Sequence, residues 1–567
     1  MMSLEKLNKL TNMQQKALHE AVGKFFGEHC KELIKAELAT EEQLSTYIEN
    51  TKKYCPTHNQ ELNSILCTVM EASDQKNGAT MCVKLKEHVY LYYQQMKNLD
   101  ASLKQIEDLN KSDVNIAEFD HLDSVKACIV HEDTKLYIDY SLPMTGESWT
   151  MLQELTALHF TICGKQYVSD TKEFYIKSKQ EAEEGNFKGR FRITSFCDDD
   201  FRISGSGFYR YMIPIDSIDW NRDICCNTAF INNGWILGLI KLEHEDTLIH
   251  VYPCKCGKQN YMVIESLTET EEVRMRDYVY SVALTIGFIT GKIHLGECYV
   301  FKSATPEYDG EMLMAYHTMR PSAESNVRIF TTNMYYVNNI LAQNNVPKED
   351  RQPLYDEQGN FQSHLQDWLH QDMVQQLFNL IHTNSDIARA VVTLIESSNF
   401  PLEYQSSVRA IVLETLAHNR SGQSLITDEE VWNKIKSELL SVVDSYGQSD
   451  EKKISAEEFE ILKQKINNLN TPPNAKLLAL SLTEVGYSLT TDDKESLKMR
   501  NLFLHGKLVK GDVEKQSDKL FYCSLLLHKL CSIIILKRAG FEGYILNNPV
   551  LYCQDLMKSK EPALLKI

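Results

Sequence analysis

Apolar residues in the first hundred positions recur every three or four residues, as in LHEAVGKFFGEHCKELIKAEL and VKLKEHVYLYYQQMKNLDASLKQIEDL, the spacing of amphipathic helices. LNKSDVN then supplies a cluster of turn-forming residues. From about Ile116 the texture changes to short runs of aromatic and β-branched residues, among them KLYIDYSL, LHFTICGKQYVS, FRITSF, WILGLIKLEH, TLIHVYP and YMVIES. EEGNFKG, CDDDF and INNG separate these runs, which is the pattern of antiparallel strands joined by turns. Helical spacing returns at about Ser322 and continues to the end, in DWLHQDMVQQLFNLIHTNSDIARAVVTLIESS, EEVWNKIKSELLSVVDSY and AKLLALSLTEVGYSL. The pattern predicts a multidomain α+β chain: a helical domain over 1–115, a β-rich middle domain over 116–321 and an all-α helical bundle over 322–567.

A length of 567 residues exceeds what one core supports and agrees with several domains. The composition, 43% apolar and 24% charged, is that of a folded chain. The N-terminus, MMSLEKLNKLTNMQQK, has no apolar run of the secretory kind. The most apolar late stretch, Leu525 to Leu536, is shorter than the roughly 20 residues a membrane span needs, so a cytoplasmic location without membrane attachment is expected. Fifteen cysteines are scattered, with only CPTH, CC and CKC approaching ligand spacing. Neither a metal nor a cofactor is expected, because structural zinc takes two properly spaced ligand pairs. Asp198, Asp199 and Asp200 read as a solvated turn rather than a cation site. SGSGF, Ser204 to Phe208, lacks the remainder of a phosphate-loop or dinucleotide pattern.

A formal net charge of −18 excludes a protein that coats nucleic acid non-specifically, since such binding runs on lysines and arginines. The sign reverses locally: Lys494 to Arg538 holds ten Lys or Arg against four Asp or Glu. This stretch contains SLKMRNLFLHGKL, Ser496 to Leu508. Thr491, Asp492 and Asp493 resemble a helix start and Gly506 a helix stop, which predicts one helix from Lys494 to His505. On it Lys494, Lys498, Asn501 and His505 share a stripe roughly 60° wide, facing a boundary between core and solvent. His505 in the last turn titrates near neutrality and can move a proton. Arg500 has the planar fork that suits a phosphate, and Asn501 can orient the imidazole or the substrate. A proton carrier, a phosphate clamp and an orienting amide suffice to cut RNA without metal, because the 2′-hydroxyl of the substrate is the nucleophile. Lys494, Lys498 and Lys507 are the candidate substrate-binding cations. Arg500 and His505 lie about 140° apart on an ideal helix, so a homodimer with these helices close to its two-fold axis is expected to complete the site.

RNLFLHG, followed by KLFYCSLLLHKLCSIIILKRAGFEGYILNN, resembles the HEPN ribonuclease family, in which a helical bundle carries an Arg, four to six residues and a His. The terminal helix and its aromatic, glycine-containing tail are similar to the HEPN domains of ApeA-type anti-phage proteins. The resemblance implies a HEPN-like fold for 322–567, catalytic roles for Arg500, Asn501 and His505, and a dimeric site. It also implies cleavage of tRNA or other RNA in anti-phage defence or abortive infection, with 2′,3′-cyclic phosphate and 5′-hydroxyl ends, the other domains answering a phage or cellular trigger. The alternative within the same family is a non-catalytic dimerisation and ligand- or protein-binding module.

Overall fold

The computed structural model describes residues 98–567 apart from 112, 123–124, 133–134, 171–173, 184–185, 199, 202–204, 217–226, 232–233, 326, 328–333, 356–370, 418–423, 448–454 and 505–512. The helices expected before residue 98 lie outside the described residues. Helix α1 (Leu99–Lys111) buries Leu99, Leu103, Ile106 and Leu109, a three-and-four spacing that places them on one face.

The middle of the chain is a large antiparallel assembly. Its strands are β1 (Asn115–Ile116), β2 (Lys126–Glu132), β3 (Lys135–Pro143), β4 (Ala157–Ile162), β5 (Lys165–Asp170), β6 (Phe174–Glu183), β7 (Asn186–Ile193), β8 (Ser195–Asp198) and β9 (Phe208–Ile215). They continue with β10 (Asn227–Ile231), β11 (Gly234–His244), β12 (Thr247–Cys256), β13 (Gln259–Ser266), β14 (Lys292–Ile293), β15 (Cys298–Ser303), β16 (Leu313–His317) and β17 (Ala323–Glu324). Eleven strands form one sheet in the order β1-β4-β5-β8-β16-β15-β9-β13-β12-β11-β10, and β2-β3-β7-β6 form a second. Consecutive strands pair in tight hairpins, with β12 against β13 from Ile249–Ser266 to Cys256–Gln259. All six residues of β15 are buried, the mark of a strand covered on both faces.

Two motifs that resembled sites are built into this sheet. Asp198 ends β8, and its Oδ2 accepts from the Met314 backbone N–H at 2.6 Å. Gly207 exchanges two 2.9 Å backbone bonds with Thr270, and a Cβ there would come within 2.4 Å of Lys302 Cε. CKC lies on β12, where Cys254 is buried and its thiol is pushed up to about 12 by burial. CPTH and CC lie outside the described residues.

A 19-residue helix, α3 (Glu272–Thr290), interrupts the strands. Its Val, Ile, Thr and Tyr content suits a strand by composition, yet twelve of its residues are buried, and a helix apolar on every side is a core helix. It stops at Gly291, which adopts φ 79° and donates its N–H to Gly287 O, a left-handed cap that favours glycine. Helix α5 (Gln371–Thr383) follows α2 (Gly146–Glu154) and α4 (Met334–Gln343) in the chain. Gln375 of α5 accepts from the Glu243 N–H and donates to the Glu243 carbonyl, satisfying backbone groups of β11 as a neighbouring strand would.

The chain divides into two compact units, one running to Ala388 with Gly543–Leu546, the other comprising Arg389–Glu542 and Asn547–Ile567. The division falls within α6 (Ser385–Glu396), whereas the change from strand to helix in the sequence comes near residue 322. The second unit continues with α7 (Leu402–Ala417), α8 (Glu429–Gly447), α9 (Ala456–Asn467), α10 (Asn474–Glu484), α11 (Thr491–Leu504), α12 (Val513–Arg538) and α13 (Asn548–Cys553). Helix α12 contains a stretch, Lys515–Arg538, that is long and apolar enough to cross a membrane, in contrast to the shorter run expected from Leu525–Leu536. Its most apolar window is 83% buried within the protein, so packing against α7, α10, α11 and α13 accounts for its hydropathy.

Candidate functional site

Helix α11 begins at Thr491, three residues before the Lys494 expected from its sequence, and ends at Leu504. Thr490, not Thr491, caps it: Thr490 Oγ1 accepts from the Asp493 N–H at 3.2 Å, and Asp493 Oδ2 accepts from the Thr490 N–H at 3.0 Å. This is a reciprocal capping arrangement with aspartate in the return position. Asp493 also accepts from Tyr487 Oη at 2.8 Å and pairs with Lys529 of α12 at 2.9 Å. Asp492 accepts from Tyr522 Oη at 2.6 Å and from the backbone N–H groups of Lys558 and Ser559. Burial works to raise the Asp492 carboxyl, but these hydrogen bonds outweigh it and hold the group below its ordinary range. The two aspartates are therefore buried anchors, whereas a solvated helix start would have left them in water.

Asp493, Ser496, Leu497 and Arg500 form the inward face of α11 and are all buried, while Lys494 and Lys498 are exposed on another side. The Arg500 side chain is 0% exposed. Its Nη1 is ion-paired with Glu414 of α7, whose side chain is 36% exposed. Nε and Nη2 have no hydrogen-bond partner among the described residues. Those two nitrogens form one edge of the guanidinium fork, the edge that grips an oxyanion with two parallel hydrogen bonds. Glu414 thus pins the group from one side and leaves a two-donor edge unused.

Asn501 lies in the helical backbone of α11; its side chain, like His505 and Lys507, falls outside the described residues. Of the six expected site residues, the structure places Arg500, Lys494 and Lys498, and it separates the arginine from the lysines. The local positive charge is also partly internal. Lys529, one of the ten cations, is 1% exposed and bridges Asp493 and Glu561, the latter at 3.1 Å.

Sequence reasoning missed Glu414 and a second buried arginine of this unit, Arg409. Arg409 donates to Ser397 Oγ at 2.8 Å, Ser398 Oγ at 3.1 Å and Ser524 Oγ at 2.6 Å. Burial lowers its guanidinium to about 10. The same burial, with Arg409 nearby, drives His528 well below the ordinary histidine range and keeps it neutral. Nothing in VRAIVLETLAH distinguishes Arg409 or Glu414 from ordinary surface residues of a helix, because their partners come from other elements: Arg500 of α11 for Glu414, and Ser397, Ser398 and Ser524 of α12 for Arg409. Comparison with protein-family models, curated proteins and solved structures gives no match for this chain.

Proposed function

We propose that the C-terminal helical unit is a HEPN-like, metal-independent endoribonuclease. The observation that carries this reading is Arg500, pinned through Nη1 by Glu414 with its Nε and Nη2 edge unused among the described residues. It stands five residues before His505 in RNLFLHG. Leaving two donors of a buried cation without partners costs stability, and such a cost is commonly retained where the donors serve a ligand. A scissile phosphate supplies the missing acceptors. Arg500 would stabilise the charge that builds on the phosphorane, and His505 would exchange protons with the 2′-hydroxyl or the leaving 5′-oxygen. Asn501 would orient either partner. Lys494 and Lys498, exposed on the same helix, would hold flanking phosphates, with Lys507 beside them in sequence.

The guanidinium is fully shielded, so RNA reaches it only after an opening next to α11. That requirement fits an enzyme that rests until a trigger arrives, and a cytoplasmic role in anti-phage defence or abortive infection, with tRNA or other cellular RNA as substrate. The strand-rich unit would then receive the trigger.

The test is cleavage of total RNA by the purified protein, with phage lysate as the trigger, followed by end-group analysis. Wild type is expected to leave 2′,3′-cyclic phosphate and 5′-hydroxyl ends in the presence of EDTA, and His505→Ala to lose about 10²- to 10⁴-fold in rate. Arg500→Lys, which keeps the charge but not the fork, is expected to lose most of the rate. Identical fragments from wild type and His505→Ala, or 3′-hydroxyl ends, would reject the reading.

A further inference from the structure

The strand-rich unit holds a cavity of about 680 Å³ where β2 of the four-stranded sheet meets β9, β13 and β15 of the larger one. That is the size of small-molecule sites. Glu297, immediately before β15, lines the cavity with a side chain only 8% exposed. Its Oε1 meets Nδ1 of His131 at 3.2 Å and accepts from Tyr316 Oη at 3.2 Å. Its Oε2 has no hydrogen-bond partner among the described residues. Tyr261 of β13 and Tyr299 of β15 line the same cavity, 6% and 2% exposed, and neither hydroxyl has a partner among the described residues. Burial is the main reason that both hydroxyls stay protonated, and the Glu297 charge works in the same direction on each. An enclosed carboxylate oxygen and two enclosed hydroxyls, all unpaired, carry a desolvation cost that a ligand rich in N–H donors removes.

The charge of the lining selects the kind of ligand. Lys292 is already held by Glu324 at 3.0 Å and Asp216 at 3.8 Å, both on the solvent side of the cavity. Burial holds His294 below the ordinary histidine range, so it adds no positive charge at neutral pH. The carboxylates of Asp216, Glu297 and Glu324 outweigh Lys292 even with His131 protonated, and a net negative lining repels phosphates and draws in cations. A bare metal ion lacks a site, because among the described residues no three His, Cys, Asp or Glu are grouped to hold one.

We propose that this cavity binds a small aliphatic amine, whose ammonium donates to Glu297 Oε2 and to the hydroxyl oxygens of Tyr261 and Tyr299. An ammonium has three N–H donors, and the cavity offers three unpaired acceptors. His131 and Tyr316 hold the carboxylate from its other oxygen, so the acceptor is in place before the ligand arrives. Asp216 and Glu324 draw the cation toward the opening. The inference concerns the strand-rich unit alone and does not depend on the nuclease reading.

Isothermal titration calorimetry of the full chain with putrescine, spermidine and agmatine tests it, with AMP as the anionic probe. Physiological salt screens the general attraction of amines to an acidic chain. At least one amine is expected to bind once per chain with a Kd of about 100 μM or tighter, and AMP not to bind. Glu297→Gln keeps the shape, removes the charge and is expected to weaken binding by about 10- to 100-fold. Tyr299→Phe keeps the ring and is expected to weaken it by about three- to ten-fold, which decides the matter even if Glu297→Gln folds poorly. Glu311→Gln removes an exposed carboxylate outside the cavity and is expected to leave the affinity unchanged. The proposal is overturned if none of the three amines binds below about 1 mM, if a folded Glu297→Gln or Tyr299→Phe binds like wild type, if Glu311→Gln weakens binding as much as Glu297→Gln, or if AMP binds and competes with the amine.

Discussion

Removing the Glu414 carboxylate leaves the Arg500 guanidinium buried without its ion partner, a change that costs about 3–5 kcal/mol when both groups are enclosed. Because the Glu414 side chain is partly exposed, Glu414→Ala is expected to lower unfolding free energy by about 2–3 kcal/mol in urea titration. Glu403→Ala, at an exposed position on the same helix, is expected to stay within about 0.5 kcal/mol. A second residue-scale effect comes from His317 in the strand-rich unit. Burial, reinforced by the Arg276 charge, lowers its imidazole from 6.5 to about 4, and Glu272 at 3.9 Å does not offset this. The folded state thus prefers neutral His317, so its contribution is fully present above pH 6.5 and is lost as pH falls toward 4. The loss over that window is about 3 kcal/mol, and His317→Phe is expected to flatten this part of the stability–pH curve.

Helix α11 is set at its start by Thr490 and not by the residue after it. Thr490→Ala is expected to cost about 1 kcal/mol, whereas Thr491→Ala, at an exposed first-turn position, is expected to be nearly neutral in the same denaturation experiment. Which side of the helix is inward is set by the partners of that side. With Asp493 capping and pairing to Lys529, the residues four and seven positions later, Leu497 and Arg500, turn into the core, and Lys494 and Lys498 turn out. Helix α12 makes the same point in another way. Its apolar window is of membrane length, but Ser524 and Lys529 along it bind Arg409 of α7, Asp493 of α11 and Glu561.

For the helical unit as a whole, the last residues of the chain act as a clasp. The Lys558 and Ser559 N–H groups bind Asp492, and Glu561 binds both Lys529 and Asn547. Deleting residues 558–567 strips these partners from buried charges and is expected to make the helical unit susceptible to limited proteolysis and to abolish the RNA cleavage proposed for it. Lys558→Ala should leave both nearly unchanged, since its side-chain pair with Glu495 is exposed on both sides.

Among the described residues, the sequence alone located the strand-rich middle and the helical C-terminal region, because periods of two and of three to four are local properties. It also exposed the RNLFLHG pattern and the reversal of charge around it. It did not disclose α3, whose β-branched residues are helical only because neighbours bury every side of it. Nor did it disclose that Arg500 is enclosed and held by Glu414, 86 residues earlier in the chain. Spacing on one helix says which residues share a face, but the partner that decides whether that face meets water or core comes from another helix. The inward turn of Arg500 and the internal use of Lys529 were each settled by packing between elements, the long-range step that no local pattern encodes.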